Sequence, residues 1–385
     1  MIYLDNAAST QVHEKVLDEM LPYFEEHFGN PSSIHKHGRL ASTAVQNARK
    51  RIATLINAEP QEILLTSGGT ESNNTALYGI THKKKENHVI TSLIEHDAIL
   101  EPCKCLERDG SRITYLPVDK YGLVNPEDVR TEITDDTCLI SIMLANNEVG
   151  TIQPIKEICM IAHEKNILVH TDAVQAVGKI PIDVKDLDVD LLSLSSHKIN
   201  GPKGVGALYV KTGTELDPLI LGGGQENGLR SGTENVPNIV GFGKACQLAK
   251  ENMIQNGERS VTLSTKLRSR ILQEISHVTF NGHPEKRIPN NTHFTFLGVN
   301  GEDLIIKLDE NNIAASTGSA CSVRTQKASH VLKAMGFSHE QITGSLRLTI
   351  GVLNTEKEID DTVEVLKKIV NELRAVSPYK EKYHF

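Results

Sequence analysis

The sequence contains no apolar stretch long enough to cross a lipid bilayer. The longest apolar run extends from Cys138 to Ala145 and includes one serine, whereas a spanning helix needs roughly 20 apolar residues. A secretory signal is also lacking, because Met1 to Leu4 is followed at once by Asp5 and not by a basic and then an apolar segment. We therefore expect a cytoplasmic protein that does not attach to membranes.

The chain has no excess of positive charge. It carries 41 lysines and arginines against 49 aspartates and glutamates, which gives a formal net charge of -8. Proteins that bind nucleic acids cluster Lys and Arg against the phosphate backbone, and the densest basic run here is only Lys83 to Lys85. We expect no nucleic-acid partner.

Disulfide bonds are not expected, because a chain of 385 residues can fold without them and has only six cysteines. Cys103 and Cys105 are the only close pair, and on a helix their thiols would point about 200° apart. We therefore expect no metal site. Cys138, Cys159 and Cys246 fall in apolar patterns, where cysteine behaves as a small buried hydrophobic residue.

Cys321 differs from the other five cysteines in its surroundings. Its neighbours from residue 316 to 322 are small and mostly polar. A nucleophilic thiol needs an accessible segment of this kind, so Cys321 is the candidate nucleophile.

Short β-rich runs alternate with helical patterns from about residue 62 to 210. This alternation predicts an α/β fold with a mainly parallel sheet and helices on both faces. Ligands then bind at the carboxyl ends of the strands. The predicted strands are Ile63 to Thr66, Val89 to Ser92, Ile113 to Val118, Leu139 to Ala145, Ile167 to Thr171, Leu191 to Ser195 and Val205 to Val210.

The length of the chain predicts two domains. Residues 235 to 276 are largely helical in pattern and are broken at Asn256 and Gly257, where we place the boundary. Strand signals return at residues 293 to 296 and 345 to 350, and an amphipathic helix over 355 to 374 closes the chain. We expect a large domain over residues 16–257 and a smaller α/β domain formed by residues 1–15 and 258–385.

Two polar residues at the ends of predicted strands indicate a pyridoxal phosphate site. Lys198 closes the run that begins at Leu191, and Asp172 follows the strand that ends at Thr171. A poorly solvated lysine can be neutral enough to form a Schiff base with an aldehyde, and an aspartate can keep the pyridine nitrogen protonated. The alternative is a lysine that only caps a strand and faces water.

A phosphate site is predicted at Gly68, Gly69 and Thr70, which follow one strand and open a helix. Exposed amide groups, the helix dipole and the threonine hydroxyl can all receive a phosphate dianion. A simple glycine turn is the alternative.

Arg347 lies inside an apolar strand pattern. A buried guanidinium needs an anionic partner, and a substrate carboxylate bound by both of its oxygens would supply one. A structural salt bridge is the alternative.

The same segments carry a family resemblance that covers nearly the whole chain. In order, they resemble the motifs of cysteine desulfurases of the NifS/IscS type in the class V aminotransferase group, which implies the fold type I of pyridoxal phosphate enzymes. The segments are residues 3–8, 28–33, 66–74, 146–150, 195–198, 230–233 and 319–321.

The resemblance implies further roles around the cofactor. It places His96 against the pyridine face, where it also moves protons, and Gln175 on the phenolic oxygen. Asn147 would reach the same oxygen or the substrate carboxylate.

The resemblance also assigns Ser195 and His197 to the phosphate, beside Gly69 and Thr70. Thr233 of the partner subunit would complete the phosphate site. This implies a homodimer with shared active sites.

The activity that the resemblance implies is the removal of sulfur from L-cysteine, which leaves alanine and a persulfide on Cys321. A thiol of ordinary pKa, about 8.5, must be deprotonated for this attack, and we assign that step to His96. A selenocysteine lyase, a transaminase and a non-catalytic binding protein are the alternatives. The sulfur acceptor, an iron-sulfur scaffold or a tRNA-thiolation protein, stays open.

Overall fold

The computed structural model describes residues 1–82, 87–318 and 328–383. The basic run from Lys83 to Lys85 and the candidate nucleophile Cys321 lie outside these residues. In the described part of the chain, no helix is both long and apolar enough to cross a membrane.

The strands are β1 Ile2–Tyr3, β2 Ile63–Thr66, β3 His88–Ser92, β4 Arg112–Leu116, β5 Thr137–Ser141, β6 Leu168–Asp172, β7 Leu191–Ser195, β8 Gly206–Val210, β9 Val278–Phe280, β10 Asn291–Phe296, β11 Ile313–Ala314 and β12 Ser345–Thr349. The helices are α1 Glu14–Met20, α2 Pro22–Glu25, α3 Lys36–Ile56, α4 Gly69–Thr81, α5 Asp97–Arg108, α6 Pro126–Glu132, α7 Ile155–His163, α8 Val184–Leu187, α9 Val236–Glu251, α10 Met253–Glu274, α11 Gly301–Glu310, α12 His330–Ala334, α13 His339–Thr343, α14 Glu356–Ala375 and α15 Lys380–Tyr383.

The large sheet has seven strands in the order β2-β8-β7-β6-β5-β3-β4. Strands β7, β6, β5, β3 and β4 run parallel, and β8 runs antiparallel to both of its neighbours. The predicted mainly parallel sheet is therefore confirmed. Its helices cover both faces, because one apolar cluster joins the sheet to α3 and α9 while another joins it to α4 and α5.

Strand β5 is shorter than the apolar run that predicted it. It ends at Ser141, whereas the prediction extended to Ala145. Residues 142 to 145 are still buried, and the backbone N–H groups of Ile142 and Leu144 still donate to the carbonyl oxygens of His170 and Asp172. The apolar run thus continues along β6 beyond the regular end of β5.

The C-terminal part of the chain forms a separate apolar cluster. An antiparallel sheet in the order β12-β10-β9 packs with α10, α11 and α14. Leu4 belongs to this cluster, because β1 pairs with β11 and so brings the start of the chain here. The break predicted at Asn256 and Gly257 is wrong, since α9 and α10 meet at Asn252 and Gly257 lies within α10. The domain bounds themselves stay a prediction.

Candidate active site

A cavity of about 630 Å³ lies at the carboxyl ends of the parallel strands. It brings together residues that lie far apart in the sequence, from Ala7 to Arg347. The predicted site residues that line it are Gly69, Thr70, His96, Asn147, Asp172, Gln175, Ser195, His197, Lys198 and Arg347. Thr233 does not line it and is exposed.

Lys198 ends a short 3-10 turn that follows β7. Its Nζ donates to the carbonyl oxygens of Ala7 at 2.6 Å and Ala8 at 2.8 Å. The N-terminal segment is fixed beside it, because the Thr10 hydroxyl donates to the carbonyl oxygen of His197 at 2.9 Å. These two acceptors hold the amine at the cavity. They are uncharged carbonyl oxygens, so they do not form an ion pair with the lysine.

Asp172 is the last residue of β6 and is buried. Its Oδ2 accepts from Asn73 Nδ2 at 2.7 Å, and its Oδ1 accepts from the Val174 backbone N–H at 2.9 Å. An ionised carboxylate has about four acceptor positions, so it can still receive a proton donor from the cavity. The sequence analysis missed Asn73, although it lies four residues after Gly69 on α4 and so shares a helix face with the predicted phosphate site.

The predicted phosphate-binding residues Gly69 and Thr70 lie at the start of α4. Gly68 has a φ of 154°, and α4 begins at Gly69. A Cβ on Gly69 would lie 2.7 Å from Val174 Cγ2, so a side chain at this position would displace Val174. The first turn of a helix has backbone N–H groups without partners inside the helix. Gly69 and Thr70 of this turn line the cavity together with Ser195, which suits a phosphate dianion.

His96 precedes α5 and is held by the backbone of that helix. Its Nδ1 accepts from the Ala98 N–H at 3.1 Å, so in the neutral ring the proton is on Nε2. Burial lowers the pKa of His96, which keeps the imidazole uncharged at neutral pH. Burial and then the charge of Lys198 likewise lower the pKa of His197 to about 4.

Arg347 lies in β12 with only 2% of its side chain exposed. Its Nη2 pairs with Asp5 Oδ1 at 2.9 Å, and its Nη1 donates to the carbonyl oxygens of Asn147 at 2.9 Å and Gly318 at 3.1 Å. Among the described residues, Nε has no hydrogen-bond partner. The salt bridge with Asp5 is of the structural kind that the sequence analysis gave as the alternative to a substrate carboxylate. The guanidinium also lines the cavity.

Two buried carboxyl groups beside the cavity were missed by the sequence analysis. Glu95 accepts from the Ser92 hydroxyl and from the Met143 N–H, and burial raises its pKa to about 8. Glu148 accepts from the Ser329 hydroxyl at 2.5 Å, and burial raises its pKa. Glu148 lies within the motif at 146–150, but an acidic residue in a loop gives no signal that it is buried.

The family model for class-V aminotransferases matches residues 2–362 of the chain. The chain is 51% identical over 386 residues to a cysteine desulfurase IscS of Clostridium botulinum, covering 99% of this chain and 97% of that protein. It is 52% identical to a cysteine desulfurase IscS of Methanosarcina thermophila, with 99% and 95% covered.

Solved structures agree with these matches. A NifS-like protein superposes with a TM-score of 0.91 at 39% identity and covers 96% of this chain and 99% of that chain. A structure described as SspA in complex with cysteine superposes with a TM-score of 0.82 at 40% identity, with 91% and 99% covered.

Proposed function

The chain belongs to the class-V aminotransferase family and is one of its pyridoxal-phosphate-dependent cysteine desulfurases, and we propose how its residues divide the work of removing sulfur from L-cysteine. One observation carries this proposal. Lys198 and Asp172 lie at the carboxyl ends of the paired parallel strands β7 and β6, and both line one cavity with His96.

The residues of the cavity fit pyridoxal phosphate. The first turn of α4 with Gly69 and Thr70 is suited to the phosphate, and Ser195 and His197 add donors next to it. Gly69 supports this assignment, because a Cβ there would lie 2.7 Å from Val174 Cγ2 and 3.7 Å from Ser195 Cβ, at the edge of the cavity. Asp172 would hold the pyridine nitrogen and Gln175 the phenolic oxygen.

When bound, pyridoxal phosphate supplies an aldehyde that bonds to amines and a ring that takes up electrons. Lys198 Nζ would hold the aldehyde at rest and, once released by the substrate amine, remove the proton from the substrate Cα. The Asp172 carboxylate would keep a proton on the pyridine nitrogen. His96 would lie against the pyridine ring as a neutral imidazole, and it could then accept a proton from the substrate thiol or from Cys321.

Cys321 would take the sulfur. Its thiolate attacks the substrate sulfur, so that a sulfur–sulfur bond forms and the bond between substrate Cβ and sulfur breaks. The electron pair of the broken bond goes to the carbon, which is then protonated to give alanine. Cys321 lies outside the described residues, but Gly318 and Ala328 on either side of it line the cavity, which supports its access to the substrate.

The substrate carboxylate would bind to Arg347 and the side chain of Asn147. Both residues line the cavity, and the buried Nε of Arg347 still lacks a partner among the described residues. An unpartnered buried donor is costly, so an incoming carboxylate is favoured there.

A second copy of the chain would complete the phosphate site with Thr233. This threonine is exposed and outside the cavity of its own chain, so a role at the phosphate requires another copy. Large apolar side chains are exposed close together in the sequence near the N-terminus, which supports burial against a partner. They are Leu17, Leu21, Phe24, Phe28 and Ile34.

The activity is tested by measuring alanine and sulfide from L-cysteine in the presence of a reductant. Equal amounts of both products are expected, without amino transfer to a keto acid. Transfer to a keto acid without sulfide would instead indicate a transaminase, and a strong preference for selenocysteine would indicate a selenocysteine lyase. We also propose a cytoplasmic location. The acceptor would be an iron-sulfur scaffold or a tRNA-thiolation protein, and mixing the enzyme with each candidate and following labelled sulfur tests which one receives it.

A further inference from the structure

Lys179 is a lysine beside the cavity that the steps above do not use. Its Nζ donates to Gln175 Oε1 at 2.9 Å. Gln175 Nε2 in turn donates to the carbonyl oxygen of Ala7 at 2.9 Å, and Lys198 Nζ donates to the same oxygen at 2.6 Å. A continuous chain of hydrogen bonds therefore joins Lys179 to the active-site lysine.

The two neighbours of Gln175 determine how its amide is turned. A protonated lysine can only donate hydrogen bonds, and a backbone carbonyl oxygen can only accept them. A flipped amide would place Nε2 against the Lys179 ammonium and Oε1 against the Ala7 oxygen, so both contacts would become repulsive. The amide thus keeps one orientation, and the second N–H of Nε2 is left to donate to an acceptor in the cavity.

The surroundings of Lys179 are cationic. It lines a second cavity, of about 360 Å³, together with Lys198 and Lys15. No Asp or Glu is found among the described residues that line this cavity. The acceptor that the structure places on the Lys179 amine is therefore the uncharged Gln175.

The hydrogen bond from Lys179 to Gln175 depends on the protonation state of the lysine amine. Burial, and then the charges of Lys198 and Arg347, lower the pKa of Lys179 to about 7. Below this pH the ammonium fixes the amide, whereas the neutral amine above it gains a lone pair that could also accept from Nε2.

We propose that Lys179 is a positioning residue that holds the Gln175 amide with Nε2 directed at the phenolic oxygen of pyridoxal phosphate. This inference rests on the proposed function, in which Gln175 contacts that oxygen. Lys179 itself acts only through Gln175. A fixed donor at the phenolic oxygen stabilises its charged form, so the bound cofactor reports on Lys179 through its absorbance.

The test compares Lys179→Met with the conservative variant Lys179→Arg, each in the wild-type and Gln175→Ala backgrounds. The readouts are the dissociation constant of pyridoxal phosphate and the pH midpoint of its visible absorbance, with thermal unfolding as a check on folding. Lys179→Met should raise the dissociation constant roughly five- to tenfold, as expected for one lost hydrogen bond. The pH midpoint should rise by roughly 0.5 to 1 unit, and Lys179→Arg should restore most of both values.

The double variant decides whether Lys179 acts through Gln175. In the Gln175→Ala background, Lys179→Met should change neither readout further. Equal effects in both backgrounds, or no effect in either, would overturn the inference. If Lys179→Met does not fold, Lys179→Gln gives the same comparison, because its neutral amide can donate or accept and so fixes Gln175 less strictly. A wild-type protein that binds no pyridoxal phosphate would overturn the proposed function instead.

Discussion

Arg347 Nη2 lies 2.9 Å from Asp5 Oδ1, which links a buried strand near the end of the chain to a loop at its start. The same guanidinium also donates to the carbonyl oxygens of Asn147 and Gly318, which line the cavity. Arg347 thus joins the N-terminal loop to the wall of the cavity. Arg347 therefore has two functions that can be separated. It stabilises the fold through Asp5 and, in the proposed mechanism, binds the substrate carboxylate.

Arg347→Ala should affect both functions. Loss of a charged hydrogen bond should weaken L-cysteine binding by about 1.5 to 3 kcal/mol, and breaking a buried ion pair should lower the free energy of unfolding by about 3 to 5 kcal/mol. Binding is measured by titrating L-cysteine into the Cys321→Ser background, which should not turn over, and stability by denaturant unfolding.

Asp5→Asn is the matched control for this prediction. It removes the same ion pair but leaves the guanidinium, so it should lower stability without weakening L-cysteine binding. Unchanged L-cysteine affinity in Arg347→Ala would mean that another cation binds the carboxylate.

The contrast between Arg347 and the strands shows what the sequence can predict. The bounds of β2 and β7 match the predicted runs, because a short apolar run between polar residues is a local signal of a buried strand. The sequence also predicts that Arg347 has an anionic partner, because it is a charged residue within an apolar strand pattern. Its actual partner could not be predicted, because Asp5 is 342 residues away and arrives only through tertiary pairing.

The contact between Lys179 and Gln175 was missed for a different reason. The two residues are four apart, which on a helix would place them on one face. The segment from 174 to 179 forms turns and not a helix, so periodicity gave no reason to pair them. Side-chain orientation in irregular segments depends on contacts with distant backbone, here the carbonyl oxygen of Ala7.

Lys198→Ala should abolish both the lysine-linked cofactor and turnover while leaving the fold intact, since the lysine makes its hydrogen bonds to an N-terminal segment that other contacts hold. Borohydride reduction followed by peptide mass spectrometry should place the cofactor on Lys198 in the wild type and on no lysine in the variant. Lys203→Ala, at an exposed lysine nearby, is the control and should behave as the wild type. Reduction onto another lysine would contradict the assignment.

The stability of the fold should fall in mild acid because of buried neutral histidines. Burial lowers the pKa of His170 to about 3, and its ring is bonded to the Ser141 and Ser193 hydroxyls. Its ordinary pKa in the unfolded chain is about 6.5, so between these values the unfolded state binds the extra proton. The stability from this group is thus complete above pH 6.5 and is lost as the pH falls toward 3.

At pH 5 the loss from His170 amounts to about 2 kcal/mol. Unfolding measured at pH 7 and pH 5 should therefore show a smaller difference for His170→Gln than for the wild type. His339→Gln, at an exposed histidine, should keep the wild-type difference. A His170→Gln protein with the full wild-type pH dependence would show that other groups cause the acid sensitivity.

Cys321 should be the thiol that carries the persulfide. Burial raises the pKa of Cys103 to about 12 and also raises the pKa values of Cys159 and Cys246, so these thiols cannot readily form the attacking thiolate. Cys105 is the other accessible candidate, since it is only partly buried and accepts from Arg108 Nη2 at 2.7 Å.

Cys321→Ser and Cys105→Ser form the decisive pair of variants. Cys321→Ser should still bind pyridoxal phosphate and L-cysteine, because serine preserves the shape of the side chain, but its hydroxyl is a far weaker nucleophile toward sulfur than a thiolate. Mass spectrometry after addition of L-cysteine should find an added sulfur on Cys321 in the wild type and in Cys105→Ser, and none in Cys321→Ser. An added sulfur on Cys105 in the Cys321→Ser protein, with alanine still produced, would contradict the assignment of the persulfide to Cys321.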